Sequence, residues 1–322
     1  MRAAMYEQRG SSDVLSVTEI PTPGPGVGEV RVRLHVAAVN PTDWKARKAG
    51  GDIEGGFQVP GQDGAGVIEA VGPGVDLSRI GERVWVYHAA YQRQFGTAAQ
   101  YTVVPARQAV RIPEGVGFDQ AAALGIPYIT AYGCLFSDGP IDGQTVLVHG
   151  GAGAVGHAAI QLARRAGAHV ITTVSSKAKA AIAAAAGAHV IVDYTQKSAL
   201  ERIAAAARAG VDRIIEVDLT HNLELDRAVL VPNGVIVTYA ADADDPTIPV
   251  RALMNHNITL RFVMVYGFTA AMMAAAIDEI TQGLADGDLT PLPVIRFSLD
   301  QVAAAHDAVE KRSTGKVLID LP

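Results

Sequence analysis

The stretch Thr145-Val-Leu-Val-His-Gly-Gly-Ala-Gly-Ala-Val-Gly-His-Ala-Ala-Ile-Gln-Leu-Ala163 decides how the rest of the sequence is interpreted. Residues 145–149 are mostly apolar and β-branched, as expected of a parallel strand that is covered on both faces. Gly151, Gly153 and Gly156 then fit the pattern G-x-G-x-x-G. Their missing Cβ atoms permit a tight turn and a close approach of the backbone to a phosphate.

An amphipathic helix follows the glycines, because Val155, Ala159, Leu162 and Ala163 recur at helical spacing. Its N-terminus, with unpaired N–H groups and the positive end of the helix dipole, would face an anion. A second strand candidate at residues 168–174 completes the βαβ unit that such a turn requires. We therefore predict a turn that binds the pyrophosphate of a dinucleotide.

The residues after the second strand indicate which dinucleotide binds. An NAD site places an Asp or Glu near this point, where it accepts hydrogen bonds from the ribose hydroxyls. Residues 172–179 are Thr-Thr-Val-Ser-Ser-Lys-Ala-Lys, with no carboxylate. Because Ser175, Ser176 and Lys179 would suit a 2′-phosphate, we predict NADPH. The same residues would also fit an ordinary helix N-cap followed by two solvated lysines.

Composition limits the classes of function. The chain has 322 residues, enough for two domains with separate cores, and its 49% hydrophobic and 19% charged residues are typical of globular proteins. A net charge of −6 with dispersed Lys and Arg argues against a nucleic-acid partner. No apolar run has the length of a membrane span, and the N-terminus lacks the apolar core of a signal peptide. We expect a cytoplasmic protein without a membrane partner.

Cys134 is the only cysteine of the sequence. A disulfide within the chain and a four-cysteine zinc site are therefore excluded. Cys134 lies in the apolar segment 131–136, which predicts a buried thiol rather than a nucleophile.

The segment up to about residue 120 is predicted to be β-rich. Its strand candidates, separated by glycine and proline, are residues 28–36, 64–71, 82–87 and 99–104. Many short strands without helices between them suggest a compact barrel-like domain. Two helical stretches separated by Pro127 then mark the entry into a second domain.

From Thr145 onward, strands and helices alternate. The strand candidates are residues 145–149, 168–173, 189–192, 213–217, 235–239 and 258–263. Six such strands with helices between them specify a doubly wound parallel sheet, so the fold class is α/β. The remaining candidates are a helix at 269–284, a strand at 293–297, a helix at 299–310 and a strand at 316–320. We expect this tail to rejoin the N-terminal domain and to leave a cleft where substrate and nicotinamide meet.

Seven segments spread over the chain together carry a family resemblance. They are Val39-Asn-Pro-Thr-Asp43, Pro60-Gly-Gln-Asp-Gly-Ala-Gly-Val-Ile68, Gly81-Glu-Arg-Val84, Ala123-Leu-Gly-Ile-Pro-Tyr-Ile-Thr-Ala-Tyr132, Val148-His-Gly-Gly-Ala-Gly-Ala-Val-Gly156, Gly187-Ala-His189 and Gly315-Lys-Val-Leu318. The chain resembles a medium-chain dehydrogenase/reductase of the zinc-independent quinone oxidoreductase type, the zeta-crystallin-like family. The resemblance implies a GroES-like β-rich catalytic domain at 1–122 and 266–322 and a Rossmann NADPH-binding domain at 123–265.

The resemblance also addresses metal chemistry. Zinc-dependent members of the family would have a catalytic Cys where this chain has Asn40, and a His-Glu pair where it has Gln62 and Asp63. Without zinc, alcohol oxidation lacks its Lewis acid. A quinone or an α,β-unsaturated carbonyl needs no metal, because hydride adds directly to the conjugated carbon.

Site residues follow from the matched motifs. The resemblance implies cofactor-binding roles for Asn40, Thr130, Gly151, Ala152, Gly153, Ala154, Val155, Gly156, Ser175, Ser176, Lys179, Tyr194, Tyr239, Ala240, Val263, Val265 and Lys316. It implies catalytic roles for Asn40 and Thr130. Lys45 is a third catalytic candidate: many quinone reductases carry a tyrosine a few residues after the asparagine, whereas this chain has Trp44-Lys45, whose amine could orient or protonate an enolate. Asn40 would also fit a turn former, Tyr194 a packing residue, and Lys45 a solvated amine. The proton donor stays unassigned, and solvent is an adequate donor for a quinol or enolate oxygen.

The histidines show no metal-ligand spacing, so no metal site is predicted, and His149 is assigned a packing and hydrogen-bonding role. The predicted activity is hydride transfer from NADPH to a quinone. Reduction of an enone, enal or enoyl thioester, or NADPH binding by a non-catalytic structural protein, are the alternatives. We expect a homodimer that pairs through an edge strand of the nucleotide domain, with residues 236–239 near that edge.

Overall fold

A computed structural model describes residues 1–207, 209–241 and 245–322. Its strands are β1 Arg2–Met5, β2 Ser16–Glu19, β3 Glu29–Ala38, β4 Asp63–Val71, β5 Arg83–Val86, β6 Tyr101–Pro105, β7 Ala109–Arg111, β8 Thr145–Val148, β9 His169–Val174, β10 Val190–Asp193, β11 Val211–Glu216, β12 Leu230–Thr238, β13 Thr259–Phe262, β14 Val294–Ser298 and β15 Lys316–Asp320. Its α-helices are α1 Pro41–Lys48, α2 Phe118–Ala122, α3 Gly125–Phe136, α4 Ala154–Arg165, α5 Lys177–Ala185, α6 Ala199–Ala207, α7 Leu219–Val229, α8 Val250–Met254, α9 Ala270–Ala285 and α10 Val302–Glu310.

Two compact units divide the chain. The first contains Met1–Ile126 and Pro291–Pro322, and the second contains Pro127–Thr290. The sequence suggested boundaries after residues 122 and 265, so the second boundary lies later in the structure. Helix α9 belongs to the second unit because Arg165 Nε of α4 donates to Glu279 Oε1 of α9 at 3.0 Å.

In the first unit, a seven-stranded sheet has the order β14-β15-β3-β4-β5-β7, and β6 pairs with β3. Val30, Val32 and Leu34 of β3 are buried at alternate positions, which confirms the predicted one-sided strand. β15 pairs antiparallel with β3, with Leu318 opposite Ala38. The C-terminal tail therefore rejoins the N-terminal segment, as predicted.

Two helices of the structure correct details of the sequence interpretation. Helix α1 follows Asn40 directly, where the sequence suggested only a turn. Pro127 does not separate two helices, since it lies in the first turn of α3, where a missing N–H is tolerated. The predicted capping box of the last helix is confirmed, because Gln301 Oε1 accepts from the Ser298 N–H at 3.0 Å.

The second unit contains a six-stranded sheet with the order β10-β9-β8-β11-β12-β13, and each neighbouring pair is parallel. All six predicted strands are present, so the doubly wound fold is confirmed. Residues 236–238 lie in β12, which pairs with both β11 and β13, so they neighbour the edge strand rather than form it. The edge strand on this side is β13.

Cys134 is buried, and burial raises the pKa of its thiol to about 12. The thiol is therefore protonated and unreactive near neutral pH, as predicted. Of the helices in the described ranges, none combines the length and the apolarity that a membrane span requires.

Candidate functional site

The glycine turn lies between β8 and α4 at the carboxyl edge of the parallel sheet. Gly150 has φ +69°, a conformation that favours glycine, and it makes the chain reverse after His149. Gly153 is the N-cap of α4, and its N–H donates to Gly150 O at 2.9 Å. The first N–H groups of α4, beginning at Ala154, have no intrahelical acceptor and carry the positive end of the helix dipole. These groups lie where the sequence predicted an anion site.

The three motif glycines have different roles. A Cβ on Gly151 would lie 2.1 Å from Thr172 Oγ1, and a Cβ on Gly156 would lie 2.3 Å from Gly150 O. Both positions therefore need glycine to pack strand against helix. A Cβ on Gly153 would meet nothing closer than Gly150 O at 3.3 Å. Gly153 is exposed and leaves its backbone accessible, as close approach of a pyrophosphate requires.

Polar groups cluster where β9 and β10 end. Lys179 Nζ donates to Ser175 Oγ at 3.0 Å, and the Lys179 N–H donates to Ser176 Oγ at 3.3 Å. Tyr194 follows β10, and its side chain is 54% exposed, so it does not pack in the core. Asp193 is the carboxylate that the sequence interpretation missed here, but its Oδ1 accepts from the N–H of Thr195 within its own turn.

The residues predicted around the nicotinamide lie at the same carboxyl edge, after β12 and β13. Tyr239 and Ala240 follow β12, and the Thr238 hydroxyl donates to Ala240 O at 3.1 Å. Burial raises the pKa of Tyr239 well above its usual range, so this phenol stays protonated. Val263 and Val265 follow β13 and are almost fully buried. Thr130, in α3, is 5% exposed.

In the first unit, Asn40 belongs to a buried polar cluster. Lys316 Nζ donates to Asn40 Oδ1 at 2.6 Å, and Asn40 Nδ2 donates to Asp63 Oδ2 at 2.8 Å. The Asn40 N–H donates to Asp43 Oδ2 at 2.7 Å, so Asp43 also caps α1. We call Asn40, Asp43, Asp63 and Lys316 the lysine cluster.

Burial dominates the electrostatics of the lysine cluster. Desolvation raises the pKa of Asp43 to about 7 and the pKa of Asp63 to about 6. Burial lowers the pKa of Lys316, although the charges of Asp63 and Asp43 oppose this shift. An ammonium and two carboxyl groups therefore compensate one another inside the unit. Lys316, predicted to bind cofactor, contacts Asn40 in this cluster.

Lys45, predicted to be catalytic, lies in the last turn of α1. Its Nζ is 5.8 Å from the centroid of the Trp44 ring, and the Nζ of Lys48 is 5.6 Å from the same centroid. Both distances suit a cation–π contact. Lys45 is exposed, unlike the lysine cluster.

Family models match two segments of the chain. Residues 26–114 match the alcohol dehydrogenase GroES-like domain, and residues 154–282 match the zinc-binding dehydrogenase domain. The chain is 30% identical over 325 residues to the quinone oxidoreductase of Pongo abelii, covering 99% of this chain and 97% of that protein. The chain belongs to the quinone oxidoreductase family of medium-chain dehydrogenases/reductases.

Solved structures agree with this family assignment. A mycobacterial protein complexed with NADPH has a TM-score of 0.87 and 28% identity, with 99% of this chain and 100% of that chain covered. A structure described as an NAD-dependent alcohol dehydrogenase has a TM-score of 0.90 and 28% identity, with 100% of both chains covered. Like other members of the quinone oxidoreductase family, the chain is an oxidoreductase with a GroES-like domain and a Rossmann domain.

The structure also reveals a cluster in this family member that the sequence interpretation missed. His149 Nε2 lies 2.8 Å from Asp226 Oδ1 and 3.4 Å from Glu216 Oε2. All three side chains are buried, and one ligand atom of each lies within 4.8 Å of the others, a spacing that could hold a metal ion. We call these residues the histidine cluster. Its members come from three separate elements, so no spacing in the sequence signals it.

Opposing effects determine protonation in the histidine cluster. Burial by itself would lower the pKa of His149, but the hydrogen bond to Asp226 and the charges of Glu216, Asp226 and Asp218 raise it overall. Burial also raises the pKa of Glu216 to about 7. Both shifts favour the protonated forms of His149 and Glu216.

Proposed function

We propose that the protein is an NADPH-dependent quinone oxidoreductase that transfers hydride from the nicotinamide to a quinone without zinc. The observation that carries this proposal is the lysine cluster at Asn40 and Asp63, the positions where zinc-dependent relatives would carry metal ligands. Similarity to quinone oxidoreductases over nearly the whole chain supports the same conclusion.

The residues of the glycine turn fit NADPH. The backbones of Ala152, Gly153, Ala154 and Val155 would line the pyrophosphate at the N-terminus of α4. Ser175, Ser176, Lys179 and Tyr194 would surround the 2′-phosphate. Thr130, Tyr239, Ala240, Val263 and Val265 would enclose the nicotinamide. When bound, NADPH supplies the hydride.

A zinc ion does not fit the lysine cluster. Zinc is bound in proteins by thiolate, imidazole and carboxylate groups, and a lysine ammonium is not among them. Here Lys316 Nζ lies 2.6 Å from Asn40 Oδ1 and would repel a second cation. We infer that the reaction depends on binding and orientation rather than on a Lewis acid.

The lysine cluster fixes the amide of Asn40. Its Oδ1 accepts from Lys316, and one Nδ2 hydrogen goes to Asp63. An amide nitrogen has two hydrogens, so Nδ2 can donate to one further oxygen, which we assign to the cofactor or the acceptor. Solvent or Lys45 would supply the proton to the quinol oxygen.

Lys179 offers a test of the cofactor assignment. Lys179→Met removes the cation beside Ser175, and charge-assisted hydrogen bonds to a phosphate contribute about 1.5–3 kcal/mol. We expect the KM for NADPH to rise at least about tenfold while the KM for NADH stays unchanged. Lys177→Met is the matched control, because it removes the same charge from the same helix without touching Ser175. Equal effects of the two variants would contradict the assignment.

A panel of acceptors tests the activity. NADPH oxidation is followed at saturating NADPH against a quinone series and an enone series, with and without a zinc chelator. We expect the quinones to react fastest and the chelator to have no effect. Reaction of enones alone would move the acceptor to the alternative class, and NADPH binding without turnover would remove the catalytic claim.

The edge strand β13 supports a homodimer. Phe262, at its end, is 70% exposed, and Met264 just beyond is 67% exposed. An unpaired edge with exposed apolar side chains is a surface that a second copy can cover. Phe262→Lys should lower the molar mass measured by light scattering if the proposed dimer forms there.

A further inference from the structure

The histidine cluster is connected to the glycine turn by a chain of hydrogen bonds. Asp226 Oδ1 bonds with His149 Nε2 at 2.8 Å, and His149 Nδ1 bonds with Thr173 Oγ1 at 3.1 Å. The N–H of Gly150 donates to Thr173 Oγ1 at 3.2 Å. The chain therefore starts on α7 and ends at the residue that turns the backbone into the dinucleotide loop.

The donor and acceptor properties of the side chains set the direction of each hydrogen bond. An ionised carboxylate only accepts hydrogen bonds, so Asp226 requires a hydrogen on His149 Nε2. This fixes the imidazole plane and presents Nδ1 to the Thr173 hydroxyl, whose oxygen accepts from Gly150. The distance of 2.8 Å between Nε2 and Oδ1 is that of a strong hydrogen bond.

Hydrogen bonds to the carboxyl group of Glu216 support this chain of hydrogen bonds. Glu216 Oε1 accepts from the N–H of Val217 at 2.7 Å and from Asn222 Nδ2 at 3.0 Å, which holds the carboxyl group at the start of α7. Its Oε2 and Asp226 Oδ2 have no hydrogen-bond partner among the described residues. Both carboxyl groups lie on the Nε2 side of His149, and Thr173 is its partner on the Nδ1 side.

We propose that Asp226, His149 and Thr173 are positioning residues that hold the Gly150 N–H, and with it the dinucleotide loop, in the conformation that binds the cofactor. The inference rests on the proposed function only in taking NADPH as the ligand. None of the three residues needs to touch the cofactor, because they act through Gly150.

The test is the Kd for NADPH, measured by nicotinamide fluorescence in the full chain without any acceptor. Thr173→Val removes the hydroxyl and should raise the Kd about three- to tenfold, the usual effect of one lost hydrogen bond. Thr173→Ser restores the hydroxyl and should bring the Kd back to within about twofold of wild type. The matched control is Thr102→Val in the first unit, which loses an equally buried hydroxyl bonded to Phe95 O at 2.9 Å.

A double-mutant cycle tests whether the residues act as one chain. Asp226→Ala removes the acceptor of the His149 Nε2 hydrogen. It should raise the Kd in the wild-type background and have little further effect in Thr173→Val, because the connection to Gly150 is already broken. The factor should be the same for NADH, since both cofactors carry a pyrophosphate. Additive effects, a Thr173→Ser variant as weak as Thr173→Val, or a Kd that changes with chelator would overturn the proposal.

The outcome is separable from the proposed function. If wild-type protein and Thr173→Val bind NADPH with the same Kd, only the positioning role is refuted. Wild-type protein that does not bind NADPH refutes both.

Discussion

Each unit of the molecule buries two carboxyl groups around one basic side chain, and the basic side chain differs. The lysine cluster places Asp43 and Asp63 near Lys316, and the histidine cluster places Glu216 and Asp226 near His149. Lysine normally keeps its charge far above neutral pH, whereas histidine titrates near neutrality. The first arrangement places a lysine donor beside Asn40. The second places a histidine, whose pKa is raised, beside the dinucleotide loop.

The largest expected effect comes from removing the amine of Lys316. Lys316→Met leaves Asp43 and Asp63 buried without a cation, and breaking a buried pair in this way costs about 3–5 kcal/mol of unfolding free energy. The loss should be smaller at pH 5 than at pH 8, because the two carboxyl groups can then be neutral. Denaturant unfolding measures both values.

Lys311→Met is the control for Lys316→Met. The Lys311 side chain is 77% exposed and lies 3.6 Å from Asp307, an ion pair expected to contribute less than about 1 kcal/mol. A Lys316→Met variant as stable as Lys311→Met would show that the lysine cluster carries no charge compensation.

A smaller effect is expected in the glycine turn, where packing rather than charge is decisive. Gly156→Ala places a Cβ 2.3 Å from Gly150 O, so backbone must move, and overpacking of this kind costs about 1–3 kcal/mol. Gly153→Ala should cost less, about 0.5–1 kcal/mol, because a Cβ there meets nothing closer than 3.3 Å and only the poorer N-cap preference of alanine counts against it. Thermal unfolding of the two variants distinguishes them, and equal melting temperatures would contradict the packing account.

The smallest effect concerns pH and the histidine cluster. The folded pKa of Glu216 is about 7, above its unfolded value, and that of His149 is also raised. Both groups therefore stabilise the fold fully at low pH and lose this contribution as the pH rises through about 7. Glu216→Gln imitates the protonated carboxyl group, so its melting temperature should fall less than that of wild type between pH 6 and 8.

Glu201→Gln, on the exposed face of α6, should follow the wild-type pH profile. If Glu216→Gln does so too, the raised pKa of Glu216 has no consequence for stability.

The same comparison shows what the sequence can reveal. The glycine turn and the six parallel strands were predicted because their signals are local: hydrophobic runs, glycine spacing and strand–helix alternation. β12 begins at Leu230, earlier than the predicted strand at 235–239, and its additional residues include Pro232-Asn-Gly234, where Asn233 takes φ +65°.

The two clusters were not predicted because their members are distant in sequence. Lys316 and Asn40 are 276 positions apart, and His149 and Asp226 are 77 positions apart. Only the fold brings such residues together. Helix α1, in contrast, has a local signal that the sequence interpretation did not use. Asn40, Pro41 and Asp43 have the spacing of an N-cap, an N1 proline and an N3 acid.

The central claim is that the Rossmann domain delivers hydride from NADPH to a quinone. The most direct test is kcat/KM for NADPH and for NADH with one benzoquinone, measured on the same preparation of the wild-type chain. The account predicts turnover with a preference for NADPH of at least about tenfold, because Lys179 and Ser175 can pair with a 2′-phosphate. Absence of turnover, or equal values for the two cofactors, would contradict it.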